Sequence, residues 1–486
     1  MPADQNDDTL RKWLWLAYLV IGGLIIGNSY YIAREEFVFL ALPVMALFAF
    51  LVFFKPVWGV VAIGFFTPLS IRYEVAPLQS TFNFPTEPMI AMIMMLFLFK
   101  VALDWRYDSN ILKHPIAIAI MLNMAWILIA AVFSTMPFVS WKFFFSRLWF
   151  VLVFYFVAVE IFKNPERIKQ FLFGFSISLA LVVIYATYYH SGFNFQQHIA
   201  YYVVRPFMND HTEYGAVLAL FLPIAGAFAW KGKVLGLNNY QRIISLVFFL
   251  VFLTGIFFSF SRASWLGVIG ATGMLVCLYL RIRLWLLVLI IGAVITVIYQ
   301  NQHEIIYWLE QNKEVSDTGL EEHIHSIYNI TTDASNIERL NRWVSAKRMY
   351  EEKPLLGWGP GTYMFQYAQF QLAQNMTVIS TRVGDQGNAH SEYLGPLAET
   401  GLPGMLTYIL ILGLVIHKGM YLYYNGKTEY IRVLAACVLL SITTYVVHGF
   451  LNNFLDFDKV SVPFWSLIAI MTVLDLKNKG KDEEIR

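Results

Sequence analysis

Charge is scarce in this chain of 486 residues, where Asp, Glu, Lys and Arg together make up 14%; an ordinary soluble domain carries about 25%. A soluble enzyme and a disordered scaffold are thereby excluded. Cysteine is scarcer still. Cys277 and Cys437 each sit inside an apolar run, so a secreted disulfide framework is excluded and both read as small core hydrophobes. Nor is charge of one sign in excess: 35 basic residues against 33 acidic ones give a net +2, which leaves no electrostatic footprint for nucleic acid. What the chain has in quantity is apolar surface, with 58% hydrophobic and 17% aromatic residues. Bulky side chains against lipid and amphipathic rings at the two membrane surfaces explain that balance. The chain reads as an integral membrane protein.

A spanning helix needs about 20 mostly apolar residues. Runs of that kind fall near 13–28, 37–54, 57–71, 88–104, 115–133, 143–162, 169–189, 212–230, 243–259, 264–280, 284–300, 402–417, 431–449 and 461–476. The predicted fold class is therefore all-α, a polytopic bundle of about 14 transmembrane helices. No small-x-small cleavage site follows the first run, which reads as a retained anchor. Lys and Arg are held on the cytoplasmic side during insertion. One set of loops carries Arg11, Lys12, Lys100, Lys113, Lys163, Lys231, Arg281, Lys418 and Lys427, about three-fold more basic residues than the opposite short loops. Both termini are predicted to be cytoplasmic.

The domain plan is then helices 1 to 11 over 1–300, a large hydrophilic loop over 301–400 on the opposite face, and helices 12 to 14 with a short tail over 401–486. Ser335 to Glu338 fits a capping box that opens a helix, with Leu340, Trp343 and Lys347 at helical spacing and Pro354 as its end. A second helix is predicted from Thr362 to about Gln374. A third begins near Asn388, with Gly401 and Pro403 as stop signals.

Three short polar segments on the loop's face stand out: Arg205-Pro-Phe-Met-Asn209-Asp210-His211, Ser259-Phe-Ser261-Arg262-Ala-Ser264-Trp265, and Asn388-Ala-His390-Ser-Glu392-Tyr393-Leu394. Arg presents a rigid fork of donors that matches phosphate oxygens and stays charged at any working pH, so it holds a diphosphate leaving group without a metal. A His near a helix start is favoured as the neutral imidazole and is then able to act as a general base. These residue types suit group transfer from a lipid pyrophosphate, with His390 as base and Arg262 and Arg205 as anion ligands. Taken singly, an Arg at a span end is more often a headgroup contact, and a lone His is more often solvated. Arg147 lies several residues inside the sixth run, where a charge costs about 2.5 to 3.5 kcal/mol and marks a site or pathway. His323-Ile-His325 is too sparse for a metal centre, and neither a metal nor another cofactor is expected.

Together these segments resemble the O-antigen ligase and Wzy-type O-antigen polymerase superfamily of bacterial envelope glycosyltransferases. The Ser259 to Trp265 turn is similar to that family's Ser-Arg turn. Arg339-Leu-Asn-Arg342-Trp343 followed by Gly357-Trp-Gly359-Pro-Gly361 resembles its large-loop signature, and Asn388 to Leu394 with Glu399-Thr-Gly401-Leu-Pro-Gly404 resembles its His-containing segment. The resemblance implies metal-independent, inverting transfer of a glycan from undecaprenyl pyrophosphate, at the periplasmic face of the bacterial inner membrane, to a glycan or lipid A core acceptor. It implies His390 as catalytic base and Arg262 and, less tightly, Arg205 as donor ligands; Arg147, Arg339 and Arg342 are further candidate donor ligands, with Ser261, Asn388, Tyr393 and Asn209 in support. Ser391 stands where relatives commonly carry Asn. Ligases and polymerases share these motifs. A lipid or polysaccharide flippase is the reading of another class, disfavoured because acidic residues are sparse in the apolar runs.

Overall fold

The structure is a computed structural model that describes residues 54–75, 80–104, 107–301, 334–373 and 387–483, with scattered positions elsewhere. The first two predicted spans lie outside the continuously described residues, as do His323, His325 and the loop from 302 to 333.

The described elements are α1 (Pro56–Phe66), β1 (Ile71–Val75), β2 (Ser80–Phe84), α2 (Thr86–Asp104), α3 (Pro115–Val132), α4 (Pro137–Phe162), α5 (Pro165–Ser191), α6 (His211–Lys231), α7 (Asn239–Phe258), α8 (Arg262–Tyr279), α9 (Leu284–Gln300), α10 (Ala334–Glu352), α11 (Leu394–Asn425), α12 (Glu429–His448) and α13 (Asp458–Glu483). Ten of these helices are long and apolar enough to cross a membrane. The chain is a multi-pass membrane protein. α1, at 11 residues, is too short to cross alone.

Helix starts follow from local chemistry. Pro115, Pro137 and Pro165 open α3, α4 and α5, where the missing N–H costs nothing. Pro137 is why α4 begins six residues before the apolar run does. Asp210, Asn238 and Thr428 cap α6, α7 and α12 with their side chains. The all-α expectation needs one correction, the antiparallel β1–β2 hairpin, in which Tyr73 faces Phe82 across the strands. Cross-strand aromatic pairs of this kind stabilise a two-stranded ribbon.

α6 and α13 form the centre of the bundle: 83% and 94% of their apolar windows are buried inside the protein, against 28% for α7 and α8. Asp475, Asp458, Glu213 and Glu399 all lie in spanning helices, and each is held. Asp475 meets His114, Lys418 and Lys479 within 3.1 Å. Asp458 takes Ser70, Thr86 and Asn83, Glu213 takes Asn209, and Glu399 takes the amide of Tyr363. The Asp475 cluster marks the lysine-rich end of the bundle; the other three lie at the end that carries His390.

The described part of the long loop corrects three expectations. α10 starts at Ala334, which puts Ser335 inside the helix rather than at its predicted cap, and the Glu338 carboxylate is engaged by Arg342 at 2.8 Å and by Ser380. The helix predicted from Thr362 is a single turn, Tyr363–Gln366, followed by 3-10 geometry to Phe370, with the Tyr363 and Tyr367 rings stacked at 5.3 Å. The third helix starts at Leu394 rather than near Asn388; Gly401 ends its first segment as expected, with non-helical φ/ψ, and beyond this kink α11 resumes with Pro403 in its first turn and runs on to Asn425.

The kink is where loop and bundle lock together. Gly401 has φ +69, and a Cβ there would meet the Leu355 carbonyl oxygen at 2.1 Å, so only glycine fits. The turn Gly357 to Gly361 lies against it: Trp358 N donates to Ala398 O at 3.1 Å and Gly359 N to Glu399 O at 2.8 Å. On the other side, Thr135 donates to Trp358 O through both its N and its Oγ1, and Ser140 Oγ donates to Pro360 O at 2.8 Å. The turn thus ties the α3–α4 hairpin to α11.

Candidate functional site

Close approach of helices builds the site. Gly215 of α6 lies so near α8 that a Cβ would sit 2.3 Å from Ser264 Oγ, and Gly267 of α8 so near α12 that a Cβ would sit 2.7 Å from Thr444 O. Small residues at such crossings let membrane helices touch backbone to backbone. The starts of α6 and α8 and the end of α12 are thereby gathered at one place. His211 Nδ1 pairs with Ser259 O at 2.7 Å and adds a polar tie between the α6 start and the Ser259 turn.

Over this junction lies the segment 387–393, pinned from two sides. From α10, Arg342 is 8% exposed, donates to Asn388 O at 2.9 Å and lies 5.4 Å over the Tyr367 ring. Gly387 permits this approach, since a Cβ would collide with the guanidinium. From the bundle, Glu392 N donates to Gly449 O at 2.8 Å. The Glu392 carboxylate accepts from Phe454 N at 2.8 Å, Leu455 N at 2.9 Å and the Tyr445 hydroxyl. Burial pushes this carboxyl up, and the nearby Arg147 cation opposes the shift.

His390 sits between these anchors with φ +47, a left-handed backbone unusual for a side chain of its size. Its N–H donates to Asn388 Oδ1 at 3.1 Å, forming a tight turn that aims the ring inward. The ring is half-buried and hydrogen-bonds the Asn452 side chain. Its pKa is pushed down to about 3, first by removal from water, then by the Arg342 and Arg339 cations, with Asp210 and Asn452 opposing. His390 is therefore neutral at physiological pH.

The predicted residues divide clearly. Arg339, Arg342, Asn388 and His390 come together, joined by Asp210 at the α6 cap. Arg262 is the first residue of α8, and the backbone at its neighbour Ala263 lies beside the His448 ring. Ser261 is the α8 cap and accepts from Ser264 Oγ at 2.8 Å, a structural post. Tyr393 anchors the segment through its hydroxyl to Val446 O at 2.8 Å and its ring to Phe450. Asn209 bonds Glu213 and Arg72. Arg147 is paired with Asp456 at 2.7 Å. Arg205 is not drawn into the His390 cluster; it is exposed and lies 5.4 and 5.7 Å over the Tyr201 and Tyr202 rings.

Sequence reading passed over His448 and Asn452, which are 1% and 2% exposed. A His at the last turn of an apolar run reads as core. The signal was present in the polar stretch His448 to Asn453, which faces the same end as the three polar segments.

Comparison with curated proteins returned no match to the chain. Residues 247–409 match the model of the family described as O-antigen ligase. The matched stretch runs from α7 past the α11 kink and contains Arg262, Arg339, Arg342 and His390. Over this stretch the chain is similar to the O-antigen ligase family.

Proposed function

We propose that the chain is a glycosyltransferase that moves a glycan from undecaprenyl pyrophosphate to an acceptor hydroxyl at the periplasmic face of the inner membrane, in the manner of an O-antigen ligase acting on lipid A core. The observation that carries this reading is the convergence of a neutral His390 with Arg339 and Arg342 at one end of the bundle, inside the family-matched stretch.

The chemistry follows from these groups. The acceptor O–H gives its proton to the free nitrogen of His390 as its oxygen attacks the anomeric carbon. A new C–O bond forms on one face while the C–O bond to the pyrophosphate breaks on the other, so the configuration inverts. The electron pair leaves with undecaprenyl pyrophosphate, whose growing charge Arg262 and Arg339 meet from fixed positions. A pKa of about 3 suits a resting neutral base but is low for taking a proton. The bound pyrophosphate corrects this: its negative charge offsets Arg339 and Arg342 and raises the basicity of His390 only when donor is present. Arg342, already bonded to Glu338 and Asn388, holds the His390 turn.

A Wzy-type polymerase uses the same chemistry with a second lipid-linked glycan as acceptor. Deleting the gene in its host and separating extracted lipopolysaccharide on a gel distinguishes the two. Loss of all long-chain material, with lipid-linked polymer accumulating, is expected for the ligase. A single repeat left on the core means a polymerase. An unchanged ladder contradicts both roles in O-antigen assembly.

A further inference from the structure

We propose that Asn452, held by His448, is a positioning residue that orients the His390 imidazole. The proposal rests on the reading of His390 as base and names a part of the site that lies outside the family-matched residues.

The Asn452 amide nitrogen lies 3.2 Å from His448 Nε2, with both residues buried. An amide nitrogen only donates, so Nε2 accepts and the His448 proton is on Nδ1. The His448 ring sits against the backbone at Ala263 of α8, which holds it beside Asn452. The Asn452 side chain also meets the His390 ring, and with the amide nitrogen turned to His448, Oδ1 is assigned as the atom that faces His390. A carbonyl oxygen only accepts, so the ring nitrogen facing Asn452 carries the proton and the opposite nitrogen is left unprotonated toward the substrate. The arrangement gives His390 one tautomer and one orientation, the service an orienting amide or carboxylate gives other catalytic histidines.

The two residues are held at fixed separation. Glu392, two positions after His390, takes the amides of Phe454 and Leu455, two and three positions after Asn452, and its own amide bonds Gly449. The segments 388–393 and 449–455 therefore form one unit. The charged and titratable groups facing His390 are Arg339 and Arg342 from α10, Asp210 from the α6 cap and, through Asn452, His448 from α12.

The test uses full-length protein in nanodiscs, an undecaprenyl-pyrophosphate-linked repeat as donor and lipid A core as acceptor. Asn452→Ala is expected to lower kcat at least about 10-fold with donor KM unchanged. Asn452→Asp, which keeps an acceptor toward His390, is expected to recover most of kcat and to move the acid limb of the pH profile upward, because a carboxylate stabilises the protonated ring. Nitrogen NMR of labelled histidine is expected to show one His390 tautomer in the wild type and a mixture in Asn452→Ala. Unchanged kcat in Asn452→Ala overturns the proposal, as does a single unchanged tautomer there or an acid limb that Asn452→Asp leaves in place. His390→Ala separates the two claims. Full transfer in that variant sinks the base reading, while a tautomer change in Asn452→Ala still supports the orientation.

Discussion

At the scale of the residue, the burial of His390 has consequences for both pH and chemistry. Its folded pKa of about 3 lies below the usual 6.5 of an exposed histidine. The sign follows directly: the unfolded chain takes up a proton first as pH falls, so His390 contributes stability above about 6.5 that is lost progressively toward 3. Histidine NMR is expected to show His390 neutral at pH 5 without donor, and a titration centred near the model-peptide value of about 6.5 would contradict this burial. For Arg262 the prediction is that Lys does not replace it. A point charge lacks the paired donors that match a diphosphate, so kcat/KM for the lipid-linked donor is expected to fall about 10- to 100-fold in Arg262→Lys. Wild-type rates in that variant would reduce Arg262 to a charge at the membrane surface. His390 was legible in the sequence because it lies in a short, dense polar segment beside a span, whereas Arg339 and Arg342 were reached only through the resemblance of their loop to a family signature. His448 and Asn452 were not legible, because their role depends on which loop α12 delivers them to.

At the scale of the element, the spans were legible because lipid demands about 20 apolar residues with their backbone groups bonded internally, and that demand is local. Tertiary contact decided the rest. Gly401 ends one helical segment as its chemistry demands, and what the sequence does not show is that the next segment starts at once, with Leu402 N bonded to Pro354 O at 2.9 Å across the kink. Glu338 carries the chemistry of a cap, yet its carboxylate also pairs with Arg342 one turn on. The kink prediction is that Gly401→Ala, which places a methyl 2.1 Å from Leu355 O at a positive φ, costs more than about 2 kcal/mol of stability. A lowered unfolding midpoint in detergent checks it, and an unaltered midpoint would mean that α11 and the Gly357 to Gly361 turn are not locked together. At the α8–α12 crossing, Gly267→Ala has to push against the Thr444 backbone and shift α8, whose first turn carries Arg262, relative to α12. Transfer is expected to fall with the protein still folded.

At the scale of the whole molecule, the two ends of the bundle have different characters. One is knitted by the Asp475 cluster and by the Lys163 to Asp108 pair at 2.7 Å. The other carries His390, Arg262 and the described part of the long loop. The proposed orientation, from the distribution of Lys and Arg, puts the first end in the cytoplasm. In a background with Cys277 and Cys437 replaced by Ser, a cysteine at exposed Gln369 is expected to react with a membrane-impermeant thiol reagent from the periplasmic side, and one at exposed Lys233 is not. Reversed labelling would place the site on the cytoplasmic face, where lipid-linked glycans are not presented for ligation.

The central claim is that His390 serves as base in glycan transfer from a lipid pyrophosphate, and it is tested most directly by reconstituting purified protein with an undecaprenyl-pyrophosphate-linked glycan and a lipid A core acceptor in the presence of a chelator. The wild type is expected to release undecaprenyl pyrophosphate in step with glycosylated acceptor, and His390→Ala, folded and in equal amount, is expected to release neither. Equal transfer by the two proteins, or no transfer by the wild type, would contradict the account.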